Sequence, residues 1–173
     1  EGSDDSDARV GALRAIGLAE YAAGLDAAMA LTDSKDDDVM VHAFWALRRL
    51  GGMKARDHVR ETINADPSGL KRCAAYDAMK FVATKDDALW ARKRYREASP
   101  EKSCEAIIWR VNPRQKYNIV WGDSYREKLL KIIANTAAFK YEDFFQRVTN
   151  DPSENWRMRE VASEVLTKID EAR

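Results

Sequence analysis

The sequence predicts an all-α protein made of about five to six helical hairpins stacked side by side. Three observations carry this expectation. Pro (4) and Gly (8) are sparse among the 173 residues, and apolar residues recur at three- and four-residue steps instead of alternating. Breaks fall at regular intervals, at Asp33-Ser34-Lys35-Asp36, Asp66-Pro67-Ser68-Gly69, Ser99-Pro100-Glu101 and Asn150-Asp151-Pro152-Ser153. A three-position pattern, usually with Ala at its centre, recurs along the whole chain.

In chain order the pattern reads Ala8/Ala12/Ile16, Val39/Ala43/Leu47, Leu70/Ala74/Ala78, a weaker Lys102/Ala106/Arg110, Leu129/Ile133/Ala137 and Met158/Ala162/Leu166. Each set marks the first helix of a unit, where a small residue lets neighbouring backbones approach. The weaker set takes its apolar character from Ile107 and Val111. Second helices are expected at 20–32, 53–65, 86–98 and 141–149, with a poorer one near 115–121. Their stripes are Leu25/Ala28/Met29, Val59/Thr62/Ile63, Ala88/Ala91/Tyr95 and Phe144/Phe145/Val148. Asp or Ser ahead of Pro suits a helix start, since the side-chain oxygen caps free N–H groups and Pro lacks one. Gly51-Gly52 suits a helix C-terminal stop. A lone hairpin cannot bury its apolar face, so the units must stack. The expected organisation is an acidic N-terminal tail over 1–6 and one repeat domain over 7–173, with 112–128 as an irregular repeat or insertion.

Composition narrows the function classes. Hydrophobic residues make up 45% of the chain, which excludes a disordered or fibrous protein. No apolar run approaches the ~20 residues that span a bilayer. Lys+Arg (29) cancels Asp+Glu (29) in total but not in place. Residues 1–40 carry 3 basic and 10 acidic side chains, 41–131 carry 20 and 11, and 132–173 carry 6 and 8. A basic middle thus lies between acidic ends, and local fields of this kind steer partners. The first residue is Glu1 and not Met, so the chain reads as a processed or trimmed product, exported after signal cleavage or cut from something longer. The compartment stays open.

Catalytic and metal chemistry find little support. Cys73 and Cys104 are too few and too far apart for a disulfide scaffold or a Cys-x-x-Cys zinc site. Both fall beside the small core positions and read as buried packing residues, with Cys104 near a helix start where a thiol pKa falls. His42 sits on a packed helix and reads as a satisfied core histidine, and His58 reads as solvated. No nucleophile-elbow or phosphate-cradling glycine motif is present. No cofactor is expected.

The stretch Asp36 to Gly51 (Asp-Asp-Asp-Val-Met-Val-His-Ala-Phe-Trp-Ala-Leu-Arg-Arg-Leu-Gly) resembles the short bacterial HEAT-type repeat. So do Asp66 through Met79 and Asp151 through Leu166, with Met158-Arg159 and Ala162 in place. The likeness covers 7–111 and 150–169 well and 112–149 poorly. Tetratricopeptide repeats share the unit length, but their Trp…Leu-Gly…Tyr pattern is missing. The resemblance implies a right-handed α-solenoid whose second helices line a concave face, and a non-catalytic protein-interaction or scaffold module.

On those second helices Lys54, Arg56, Arg60, Trp90, Arg92, Lys93 and Arg96 are the candidate partner-binding residues. They would form a basic strip suited to an acidic protein surface, or to a phosphate backbone. Lys116 and Trp121 join them from the irregular segment, since insertions in a repeat array map to one face. Trp45, Trp109 and Trp156 lie on first helices and are expected in packing. The HEAT-type hydroxylases build a dinuclear iron site from His-Glu pairs, which this chain lacks. HEAT-like DNA glycosylases combine a basic groove with Trp and a catalytic Asp; Trp90, Trp109, Asp77 and Asp123 supply those residue types without a motif that sets their geometry. The alternatives to a protein partner are therefore nucleic acid, including glycosylase-type repair, and a structural subunit of a larger assembly.

Overall fold

The computed structural model describes residues 3–65, 69–98, 107–112, 115–119 and 124–173, with Ser3, Asp4 and the segments 107–112 and 115–119 described through their backbone alone. The chain divides into two compact units, one of residues 1–82 with 104–122 and one of residues 83–103 with 123–173.

The first unit holds α1 (Ser3–Leu18), a 3₁₀ turn (Ala22–Gly24), α2 (Leu25–Leu31), α3 (Asp37–Leu50), α4 (Gly52–Asn64) and α5 (Gly69–Val82). Here α1 packs on α3 and α3 on α5, while α2 packs on α3 and α4 on α5. Each second helix thus fills the groove beside the next first helix. Helix α1 begins at Ser3, so residues 3–6 of the expected acidic tail are helical. Asp36, at the end of the expected break, caps α3: its carboxylate accepts from the N–H groups of Asp38 (2.9 Å) and Val39 (3.2 Å). Gly51 ends it at φ +65°, with its N–H on the Leu47 carbonyl.

The core of this unit contains Val39, Ala43, Phe44, Leu47, Val59, Ile63, Ala74, Ala78 and Met79. The repeat pattern therefore identifies buried positions of α3 and α5, although Leu70 is only half-buried. It does not do so on α1, where Ala8 and Ala12 are exposed and Leu13 and Gly17 are buried. Close approach is made instead at Gly17, where an added methyl would lie 2.5 Å from the Trp45 ring.

Of the weak fourth set, Lys102 and Ala106 lie outside the described residues, and Arg110 is on a strand and not a helix. Residues 107–112 form strand β1 (Ile107–Asn112), antiparallel to β2 (Gln115–Ile119), with Trp109 opposite Tyr117 and Arg110 opposite Lys116. The run Ile107-Ile108-Trp109-Arg110-Val111 explains the difference: β-branched and aromatic residues lose rotamer freedom in a helix and suit a pleated surface. Pro113 then bars continuation of any helix. One helical hairpin of the expected series is a β-hairpin.

The second unit holds α6 (Asp87–Glu97), α7 (Tyr125–Ala137), a 3₁₀ turn (Phe139–Tyr141), α8 (Glu142–Asn150) and α9 (Trp156–Glu171). It obeys the same rule, with α7 on α9, α6 on α7 and α8 on α9. Ala91, Tyr95, Leu129, Ile133, Phe145, Met158 and Ala162 lie in its core. Ser124 caps α7 and Asn155 caps α9. Asp151, expected as a cap, instead accepts from the N–H and hydroxyl of Ser153 in the preceding turn, which hold its carboxyl below the usual range.

Ion pairs tie residues about one repeat apart. In the first unit Arg49 reaches Glu20 (3.2 Å), Lys54 reaches Asp26 (2.5 Å) and Arg48 reaches Asp77 (2.9 Å), at separations of 29, 28 and 29 residues. In the second, Arg157 reaches Glu127 (3.3 Å), Arg126 reaches Glu154 (2.8 Å) and Arg173 reaches Glu142, at separations of 30, 28 and 31.

Candidate interaction site

The candidate residues on α4 are held by their own unit. Lys54 pairs with Asp26 on α2. Arg56 lays its guanidinium on Asp57, Nε at 3.0 Å and Nη2 at 2.7 Å from the same carboxylate oxygen. Arg60 is half-buried. Beside them His58, expected to be solvated, is half-buried: the Thr32 hydroxyl donates to the Met29 carbonyl (2.7 Å) and so accepts from His58 Nε2 (2.8 Å). Burial depresses the imidazole's pKa, partly offset by Asp33 and Glu61. His42 is the satisfied core histidine expected, with Nδ1 donating to the Asp38 carbonyl at 2.7 Å; burial depresses its pKa as well.

The candidates on α6 sit differently. The buried side of this helix is anchored by Tyr95, whose hydroxyl donates to Glu154 at 2.7 Å. Burial and that bond push the phenol pKa far above its ordinary range. Arg126 closes the cluster with Nη2 at 2.6 Å from the same carboxylate and its guanidinium 4.2 Å from the centre of the Tyr95 ring. With that side fixed, helical spacing turns Leu89, Lys93 and Arg96 outward as one stripe, and all three are exposed. Neither Lys93 nor Arg96 meets a carboxylate among the described residues. Arg92, one turn from Leu89 and Arg96, is half-buried against the rings of Tyr141 (5.6 Å) and Phe144 (5.8 Å). Its Nε is shielded from water and finds no hydrogen-bond acceptor among the described residues. Trp90 is half-buried beside this stripe.

Of the remaining candidates, Lys116 is placed by the backbone of β2, opposite Arg110, and Trp121 lies outside the described residues. Two expectations about tryptophans are corrected. Trp156 is 65% exposed, because it opens α9 before the helix reaches its packed turns. Trp109 is on a strand and not on a first helix. Of the residues a glycosylase would need, Asp123 lies outside the described residues. Asp77 is buried between Arg48 (2.9 Å) and Lys80 (2.7 Å), which leaves it facing its own unit and not a ligand.

Cys73 is buried, as expected, but it is disulfide-bonded and not a packing thiol. The sequence holds one other cysteine, Cys104, which lies outside the described residues. Among the described residues no group of His, Cys, Asp or Glu is arranged to hold a metal ion, and no helix is long and apolar enough to cross a membrane.

First helices packed in series, each with a second helix wedged against its successor, define an all-α protein of the solenoid class. Residues 1–80 match the family model for HEAT repeats, and over that stretch the chain is similar to HEAT-repeat proteins. HEAT repeats generally mediate protein–protein interaction or scaffolding. No curated protein and no solved structure matches the chain.

Proposed function

We propose that this chain is a non-catalytic protein-interaction or scaffold module whose basic second helices receive an acidic partner surface. One observation carries the reading: exposed Lys93 and Arg96 project from a well-anchored helix and form no ion pair among the described residues. Cations left without internal partners raise the local potential and draw in anionic groups. The family's usual role supports a protein as the source of those groups.

Nucleic acid is the competing polyanion, and salt separates the two. Each neutralised phosphate releases counterions, so phosphate binding weakens steeply with salt. The test is fluorescence anisotropy of a labelled acidic peptide, about twelve residues long and containing one Phe, beside single- and double-stranded DNA and RNA, from about 50 to 300 mM salt. The expected result is peptide binding that persists at about 150 mM salt, where the nucleic acids have largely dissociated. Nucleic acid bound more tightly than peptide at that salt, or no binding of any probe, would overturn the reading.

A further inference from the structure

Resting on that reading, we infer that the partner-binding centre is the α6 face of the second unit and not the cation-rich α4, and that its ligand is an acidic peptide segment carrying one apolar side chain.

The charges decide between the helices. On α4, Lys54 and Arg56 already have carboxylates, so a partner would have to break existing pairs to use them. On α6, Lys93 and Arg96 have none among the described residues, and Arg92 rests on the Tyr141 and Phe144 rings. Lys140 approaches the same Tyr141 ring, 5.7 Å from its centre, which brings a cation from the 3₁₀ turn to the ring that carries Arg92. A guanidinium resting against two rings has less rotamer freedom left to lose, so its terminal nitrogens are pre-organised for a carboxylate.

The apolar requirement comes from the same stripe. Leu89 is 64% exposed one turn before Lys93, and Phe139 is 59% exposed beside Lys140. Large apolar side chains set among cations suit a ligand that interleaves carboxylates with an apolar anchor. A bare phosphate backbone would leave them wet. Charge complementarity therefore selects the ligand's sign, and Leu89 selects a peptide over a nucleic acid.

The experiment uses the whole chain and the acidic Phe-containing peptide defined above, alongside an equally charged peptide with Ser in place of Phe. Lys93→Glu combined with Arg96→Glu should weaken Phe-peptide binding by at least about tenfold and leave the thermal midpoint unchanged. Leu89→Ala should abolish the preference for the Phe peptide over the Ser peptide. Lys54→Ala should change binding less than about twofold. If the wild-type chain binds the peptide and the α4 substitution matters as much as the α6 pair, this inference fails while the acidic-partner reading stands. If the wild-type chain binds neither peptide, both fail. Equal affinity for the two peptides overturns the apolar part. Concentration-dependent self-association in sedimentation, lost in the α6 double variant, would make a second copy the occupant and overturn the proposal.

Discussion

Helices α4 and α6 are both second helices, both rich in Lys and Arg, and both carry arginines one turn apart. They differ in what surrounds those charges. Around α4, Asp26 and Asp57 take up Lys54 and Arg56, so its basic composition adds little to the outward field. Along α6, Glu154 is taken up on the inward side by Tyr95 and Arg126, and Lys93 and Arg96 on the outward stripe form no ion pair among the described residues. A cation in a sequence is thus not a cation on offer. Only the local balance of carboxylates, from the same helix and from its neighbours, says which remain available.

The largest expected effect lies on the buried side of α6. Glu154→Ala removes the acceptor for Tyr95 and strands Arg126 in a mostly buried position, which costs about 3–5 kcal/mol. Chemical denaturation measures it, and a loss below about 1 kcal/mol would show that α6 is not anchored through this cluster. A smaller effect belongs to α4 and its neighbour α3. Burial keeps His58 and His42 neutral in the fold, with pKa values below the ordinary 6.5. The unfolded chain therefore binds these protons first as pH falls. Stability is complete above about pH 6.5 and declines below it, as pH drops toward the folded-state values. Thermal midpoints across that window should fall, and His58→Asn should flatten the slope; an unaltered slope would remove His58 from the account. The smallest effect is expected for the exposed Lys54–Asp26 pair. Lys54→Ala should cost no more than about 1 kcal/mol and less at high salt. A larger cost would mean that α4 depends on its pair as α6 depends on Glu154.

Much of this architecture was legible from spacing. The second helices expected at 53–65, 86–98 and 141–149 correspond to α4, α6 and α8 within one or two residues at each end, because Gly51-Gly52, the Asp turns and the apolar stripes act locally. Ala43, Ala74 and Ala162 were recognisable as contact positions for the same reason: small residues at fixed spacing admit a neighbouring backbone. The β-hairpin carried a signal too, in the run Ile107 to Val111, but the repeat period outweighed it. Ala8 and Ala12 were misleading because spacing alone does not reveal which face of a helix a neighbour covers. At the candidate site, the cations of α6 could be read from the sequence, whereas the aromatic seat of Arg92, formed by Tyr141 and Phe144 some fifty residues on, could not.

The sequence by itself determined the helical class, the repeat period, the helix stops and the basic middle of the chain, since each depends on residues within a few turns of one another. Tertiary structure alone decided which basic residues are neutralised, that Asp77 is locked between Arg48 and Lys80, that Cys73 is disulfide-bonded, and that Trp156 faces water. Those outcomes depend on distances between side chains brought together by stacking. Coulomb attraction and desolvation act over a few ångströms in space and take no account of separation along the chain.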